Sequence, residues 1–191
     1  MTLAAWERTD ESRGLSLARW EGRADGWVFH GSEVLVGGDV LSCSFRVDLN
    51  PGWTTRRVDV LAIADAGETR RRLEVRDGQW TVDGDLRPDL GGCVDVDIAA
   101  TPLTNTFPIR RLAGLAVGGS VTSPVAWIDV PALKVTRVDQ TYERLEDRSG
   151  LARWRYSDPQ HGPFVLTVDD DAIVVDYEGF ARRIFFSGQA N

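Results

Sequence analysis

The sequence predicts an all-β domain that contains one helix. Hydrophobic residues alternate with polar ones along most of the chain, and turn-forming residues recur about every ten residues. Only one segment carries a helical stripe instead. Short strands separated by turns at this spacing are typical of antiparallel sheets.

Segment 40–49 gives the clearest strand. Its hydrophobic residues, from Leu41 to Leu49, share one face, and serine, arginine and aspartate occupy the other. The same pattern predicts further strands at 18–21, 27–30, 57–64, 69–76, 79–82, 93–98, 125–130, 134–142, 151–156, 164–168, 172–177 and 181–185. Polar residues 10–13 predict a loop. Turn residues lie between the strands, as in Asn50-Pro51-Gly52, Asp77-Gly78, Asp83-Gly84 and Asp158-Pro159.

Residues 106–116 predict the helix. Ile109, Leu112, Ala113 and Ala116 recur at intervals of three and four. We expect Thr106 to serve as the N-cap, Pro108 to lie in the first turn, and Gly118-Gly119 to end the helix.

Length and charge limit the classes of function. The 191 residues predict a single domain, 1–191, and the net charge of −7 argues against a nucleic-acid partner. The chain shows no secretory signal and no apolar run long enough to span a membrane, so we expect a cytoplasmic protein with Cys43 and Cys93 as buried free thiols.

Several kinds of chemistry have no motif in this chain. We find no P-loop, dinucleotide fingerprint or nucleophile elbow, and the two histidines lack metal-ligand spacing. Asp169-Asp170-Asp171 lacks the spacing of a calcium loop and predicts a hairpin turn. We therefore expect no cofactor and no metal, and we favour a protein that is not an enzyme.

Asp95 and Asp97 are the strongest candidates for a binding site. Two residues apart in a strand, they project from one face with Cα atoms roughly 6.6 Å apart. Val94, Val96 and Ile98 take the opposite face into apolar packing. Paired carboxylates need compensation. In sequence the nearest arginines are Arg110 and Arg111, and the loop between adds the polar groups Thr104, Asn105 and Thr106.

Ionised carboxylates only accept hydrogen bonds, so this pair suits a ligand rich in hydroxyl groups, such as a sugar. An indole ring at Trp53, Trp80, Trp127 or Trp154 could stack on that sugar, although core packing is the favoured interpretation of each tryptophan taken singly. Three alternatives stay open. Asn105 and Arg110 could tie the loop to the sheet, Asp95 and Asp97 could act as the acid and base of a glycoside hydrolase, or the charges could form the interface of a dimeric interaction module.

Residues 92–98 and 101–112 together resemble the core motif of a bacterial family of unknown function described as putative glycolipid-binding, whose pattern runs G-C-I-D-V-D and then T-P-x-T-N-T-L-P-I-R-R-L. Ser16, Val47 and Glu178 depart from the family, which usually has glutamate, cysteine and proline there. The resemblance continues in order through Arg46-Val47-Asp48, Trp53-Thr54-Thr55-Arg56, Val130-Pro131-Ala132-Leu133, Gln140-Thr141-Tyr142 and Asp176-Tyr177-Glu178-Gly179-Phe180.

The resemblance implies a long antiparallel sheet wrapped as a roll around a single α-helix, often assembled as a homodimer. It also implies that the partner is a glycolipid or a sugar headgroup, with a role in glycolipid or cell-envelope metabolism. A helix about 10 Å wide would fill much of the roll, so we expect a headgroup in a semi-enclosed pocket rather than an enveloped lipid. The ligand-binding candidates are then Asp48, Arg56, Asp95, Asp97, Asn105, Arg110, Arg111 and Tyr142.

Overall fold

The described part of the protein folds as one curled sheet of fifteen strands with a short helix inside it. A computed structural model describes residues 2–10, 13–37 and 40–185. Its first eight strands are β1 Thr2–Arg8, β2 Arg13–Arg23, β3 Gly26–Val36, β4 Val40–Leu49, β5 Thr55–Ala64, β6 Gly67–Arg76, β7 Gln79–Val82 and β8 Asp85–Leu86.

The remaining elements are β9 Asp95–Ile98, α1 Thr106–Arg111, β10 Ser120–Ile128, β11 Val135–Arg148, β12 Leu151–Ser157, β13 Phe164–Val168, β14 Val174–Tyr177 and β15 Ala181–Ile184. Short 3-10 helices lie at Pro88–Leu90 and Leu103–Asn105. The described part therefore confirms the all-β class with one helix.

Strands follow one another in the order β8 to β1 and then β15 to β9. The end strands β8 and β9 do not pair with each other, so the sheet is open. It curls until β9 approaches β5, where the Thr55 amide donates to the Val94 carbonyl at 2.9 Å and the Val96 amide donates to Thr55 Oγ1 at 3.0 Å. We call this meeting of the two strands the seam.

The predicted strands are found, some with longer and some with shorter ends, and there are two additions. The strand expected at 134–142 extends to Arg148, and β1 and β8 were not predicted. Alternation could not reveal β1, because Ala4, Ala5 and Trp6 are all buried in succession. Ala172, expected in a strand, lies in the left-handed region at φ 58° within the turn before β14. Residues 11 and 12 of the predicted loop lie outside the described residues.

One pair of strands differs from the antiparallel expectation. β9 pairs with β10 in parallel, from Val125 opposite Asp95 to Ile128 opposite Ile98. The chain passes through α1 between these strands, and such a crossover returns it in the same direction.

Helix α1 is shorter than the helix predicted at residues 106–116. It ends at Arg111, and hydrogen bonds after it change to the tighter i to i−3 pattern, with Ala113 N donating to Arg110 O and Leu115 N to Leu112 O. Thr106 is not the N-cap, since the 3-10 helix at Leu103–Asn105 runs directly into α1 and makes Asn105 the cap residue.

Two hydrophobic clusters fill the roll. The larger contains Trp6, Phe29 and Phe107, while the smaller surrounds Ile109 with residues of β11 to β14. Helix α1 therefore stands inside the sheet, with its apolar side chains buried in both clusters.

Both cysteines are buried and free, as predicted. Burial raises the pKa of Cys43 to about 12 and that of Cys93 to about 11, so neither thiol ionises near neutral pH. Among the described residues, no helix has the length and apolar character needed to cross a bilayer.

Candidate functional site

Asp95 is buried and paired with an arginine. Both of its oxygens accept hydrogen bonds from Arg111, whose Nη1 lies 2.6 Å from Oδ1. The carboxylate is 1% exposed. Burial raises its pKa, and the guanidinium acts in the opposite direction. Arg111 also reaches the Trp53 carbonyl at 3.4 Å. Asp95 therefore joins β9 to α1, and its oxygens are engaged within the protein.

Asp97, on the same face of β9, is held by neutral donors. Thr104 Oγ1 donates to Oδ1 and Gln140 Nε2 donates to Oδ2, both at 2.6 Å. Burial raises the pKa of Asp97, and these two hydrogen bonds offset part of that effect. On the opposite face Val96 and Ile98 are buried as predicted, whereas Val94 is 37% exposed and does not join the core.

Asn105 and Tyr142 form the next layer of contacts. The Tyr142 hydroxyl donates to Asn105 Oδ1 at 2.8 Å, and Asn105 Nδ2 donates to the Pro102 carbonyl at 3.3 Å. Both residues are buried. The interpretation of Asn105 as a tie between loop and sheet agrees with these bonds, although Asn105 also lines the cavity described next.

A cavity of about 210 Å³ opens beside Asp97. Its wall carries Asp97 and Asn105 together with five aromatic rings, those of Trp127, Tyr156, Phe164, Tyr177 and Phe180. We call it the Asp97 pocket. A second cavity of about 500 Å³ shares Trp127, Asp158 and His161 with it. The two cavities therefore adjoin each other along these three residues.

A chain of hydrogen bonds runs from the floor of the Asp97 pocket to its rim. Gln140 Nε2, which holds Asp97, also donates to the Tyr156 hydroxyl at 3.0 Å, and that hydroxyl donates to Asp158 Oδ2 at 3.0 Å. Asp158 accepts as well from the backbone amides of Gln160 and His161. Burial acts to raise the pKa of Asp158, but these hydrogen bonds prevail and lower it.

Three predicted site residues lie away from the Asp97 pocket. Arg110 Nη2 pairs with Asp171 Oδ1 at 2.8 Å, and its guanidinium carbon lies 5.2 Å from the centre of the Trp53 ring. Asp48 pairs with Arg46 on the face of β4 opposite the core. Arg56 pairs with Asp25 at an exposed position.

The four tryptophans considered from the sequence divide into two groups. Trp80 and Trp154 are buried in the core, at 1% and 2% exposure. Trp127 lines the Asp97 pocket, and Trp53 lines a separate cavity with Arg110. Sequence reasoning did not select Gln140, Tyr156 or Asp158 as site residues, although Gln140 stands in the motif Gln140-Thr141-Tyr142.

Within residues 2–10, 13–37 and 40–185, no cluster of three or more histidine, cysteine or acidic side chains is arranged to hold a metal ion. The predicted turn at Asp169-Asp170-Asp171 is present, with the amides of Asp171 and Ile173 donating to Asp169 Oδ1.

The fold and the Asp97 pocket define a class of protein: over the described residues it is an open β-roll with one internal helix and a polar, aromatic-lined pocket beside its end strand. Comparison with known families places it more narrowly. The chain belongs to the family described as "Putative glycolipid-binding", whose model matches residues 3–183.

Two solved structures share the architecture. A DUF1089 family protein from Pseudomonas aeruginosa is similar over 88% of this chain and 92% of its own, with 29% identity and a TM-score of 0.73. A β-barrel-like protein of the DUF1849 domain of unknown function from Brucella abortus is similar over 95% of this chain and 92% of its own, with 12% identity and a TM-score of 0.55, which supports the fold alone. Comparison with curated proteins gave no match.

Proposed function

We propose that this protein binds a sugar headgroup, free or carried by a lipid, in the Asp97 pocket without transforming it. One observation carries the proposal: a carboxylate oriented by Thr104 and Gln140 faces a cavity walled by five aromatic rings. Carboxylate oxygens accept from sugar hydroxyls, and aromatic rings pack on the apolar faces of the sugar ring. The family's description supports the same class of ligand.

The surroundings of the acids favour binding over hydrolysis. A glycoside hydrolase needs a second carboxyl group free to act as base or nucleophile. Asp95 is engaged at both oxygens by Arg111, and Asp158 has a lowered pKa that makes it a weak base. Asp97 then acts as a hydrogen-bond acceptor for the ligand. A homodimeric state and a cytoplasmic location stay predictions from the sequence.

Substitution of Asp97 tests the proposal. Asp97→Asn keeps the size of the side chain but removes the charge, so we expect about tenfold weaker binding, equivalent to roughly 1.4 kcal/mol. Binding is measured by calorimetry with methyl glucoside, methyl galactoside and methyl mannoside, and by flotation with phosphatidylcholine vesicles that contain galactosyl-diacylglycerol. The soluble glycosides and the vesicles distinguish a free sugar from a lipid-borne one.

Asp77→Asn provides the matched control. Asp77 is exposed in a turn at φ 51°, a conformation that asparagine also tolerates, so binding and stability should stay unchanged. Equal affinity in the Asp97→Asn and natural proteins would contradict the proposal. Release of free sugar from a glycoside, lost in Asp97→Asn, would show instead that the pocket is catalytic.

A further inference from the structure

A further cavity, separate from the Asp97 pocket and from the 500 Å³ cavity beside it, is framed by tryptophans. It has a volume of about 450 Å³, and Trp20, Trp27, Trp53 and Arg110 contribute to its wall. We call it the tryptophan cradle. The cradle and the Asp97 pocket have no lining residue in common.

The aromatic wall of the cradle is built by specific local features. The Trp27 and Trp53 rings stack with centres 4.7 Å apart and planes at 30°. Gly22 lies opposite Trp27 in the β2–β3 ladder, and a Cβ there would stand 3.3 Å from the Trp27 ring, so the glycine leaves room for the indole. These contacts hold the stacked pair in place at the edge of the cavity.

Trp53 adopts a backbone conformation that bulky residues rarely use. Its φ is 63°, in the left-handed region, and its amide donates to the Asn50 carbonyl at 3.0 Å. Such a conformation is strained for a residue with a side chain. The Trp53 side chain is nevertheless only half-buried. Backbone strain of this kind is concentrated at ligand sites.

Two donors in the cradle wall are available to a ligand. Among the described residues, the indole nitrogens of Trp27 and Trp53 have no hydrogen-bond acceptor. The buried tryptophans Trp6 and Trp80, in contrast, donate to the carbonyls of Val174 and Cys93. Trp27 and Trp53 are only partly buried, and both line the cavity.

Two acceptors are available in the same wall. Glu21 receives both hydrogen bonds of Arg23 on Oε1, and Asp171 receives that of Arg110 on Oδ1. Within the described part of the chain, the second oxygen of each carboxylate has no hydrogen-bond donor. The cradle thus offers both donors and acceptors beside an aromatic surface.

This combination selects the chemistry of the ligand. The cavity wall carries charges of both signs, because Glu21 pairs with Arg23 and Asp171 pairs with Arg110. An anion would be repelled by the two carboxylates, and a cation would be repelled by Arg110. A neutral sugar avoids both penalties, because each hydroxyl donates and accepts and the ring offers an apolar face. We infer that the tryptophan cradle is a second binding site, for a neutral sugar ring that packs against Trp27 and Trp53.

The cradle is tested with fluorinated tryptophan. The full-length protein labelled with 5-fluorotryptophan is titrated with methyl glucoside, methyl galactoside and methyl mannoside, and ¹⁹F spectra are recorded; single tryptophan-to-phenylalanine variants assign the Trp27 and Trp53 signals. We expect saturable shifts of both signals with at least one glycoside. Glu21→Gln combined with Asp171→Asn should weaken this binding about tenfold, because charged acceptors become neutral ones.

Matched variants separate this site from the Asp97 pocket. Asp97→Asn should leave the shifts of the Trp27 and Trp53 signals unchanged, whether or not the Asp97 pocket binds a sugar. Exposed ion pairs contribute little to stability, so the Glu21→Gln and Asp171→Asn double variant should melt as the natural protein does. Absence of the shifts, their persistence in the double variant, or their loss in Asp97→Asn would each overturn the second site. Equal shifts with tetramethylammonium or inorganic phosphate would overturn its sugar class.

Discussion

At the scale of single residues, three buried or partly buried carboxyl groups are accommodated in different ways. Asp95 is paired with a guanidinium, whereas Asp97 is held by an amide and a hydroxyl. Glu33, fully buried on β3, accepts from the Ser16 hydroxyl directly opposite it on β2. Burial raises the pKa of Glu33 to about 8, and the carboxyl group is therefore largely neutral at pH 7.

Glu33 should make stability depend on pH. Its pKa is about 8 in the folded protein and 4.5 in the unfolded chain, so the folded state holds the extra proton between these values. Stability then falls as pH rises through that window. Glu33→Gln removes the titration, and its melting temperature should exceed that of the natural protein by several degrees at pH 8.5 but differ little at pH 4.5.

Differential scanning calorimetry from pH 4 to pH 9 measures this effect, at roughly 2–4 °C per kcal/mol for a chain of this size. Glu146→Gln, at an exposed position of β11, serves as the control and should leave the pH profile unchanged. A Glu33→Gln profile parallel to that of the natural protein would show that Glu33 is not the group responsible.

Part of the candidate site was accessible from the sequence. Asp97 and Asn105 line the same pocket, and Tyr142 bonds to Asn105, because all three belong to motifs that the fold brings together. Ser16 stands where the family usually has a glutamate, and Glu33 places a carboxyl group beside it. That relation depends on strand register, which a single sequence does not reveal.

At the scale of elements, two arginines connect α1 to two different parts of the roll. Arg111 bonds to Asp95 on β9, and Arg110 bonds to Asp171 in the turn before β14. The acid of the first pair, Asp95, is buried at 1% exposure, whereas the acid of the second pair, Asp171, is 63% exposed. The two pairs should therefore differ widely in their effect on stability.

Removal of Arg111 should destabilise the protein strongly. Arg111→Met leaves the buried Asp95 carboxylate without its partner, so we expect a loss of about 3–5 kcal/mol in the free energy of unfolding, measured with urea. The Asp95→Asn and Arg111→Met double variant should recover part of this loss.

Arg110→Met is the control for that experiment, and its cost should stay below about 1 kcal/mol because its acid is exposed. Equal losses in the two single variants, or no recovery in the double variant, would mean that the Asp95–Arg111 pair does not anchor the helix.

Strands were easier to predict than the helix and the end strand. Alternation identified β4 and β5 because each has one buried face. The predicted stripe does not continue as a helix past Arg111, because Leu112 packs against the smaller hydrophobic cluster whereas Ala113 and Ala116 are exposed after the change to i to i−3 hydrogen bonds. The parallel pairing of β9 follows from the crossover through α1 and leaves no periodic signal.

At the scale of the whole molecule, the roll is completed at the seam rather than by a continuous ladder. Thr55 is 4% exposed, and its amide and hydroxyl both bond to the segment that carries Asp95 and Asp97. Thr55 therefore links β5 to the end strand that carries Asp97 of the pocket.

Thr55→Val should loosen the seam. The variant keeps the shape of the side chain but removes the acceptor for the Val96 amide, and an unsatisfied buried group costs about 1–3 kcal/mol. Hydrogen exchange should accelerate at Val96 relative to amides in the β3–β4 ladder. Thr122→Val, which alters an exposed threonine pair, should change stability by less than about 0.5 kcal/mol. Unchanged exchange at Val96 would show that the hydroxyl does not hold the end strand.

The two hydrogen bonds of Thr55 across the seam affect how the molecule responds to force. Because β5 and β9 do not pair in a ladder, separating them breaks the two bonds of Thr55 and leaves every strand pairing of the sheet intact. Under an applied force, or during thermal fluctuation, the seam should therefore open first, while the strands of the rest of the sheet keep their register.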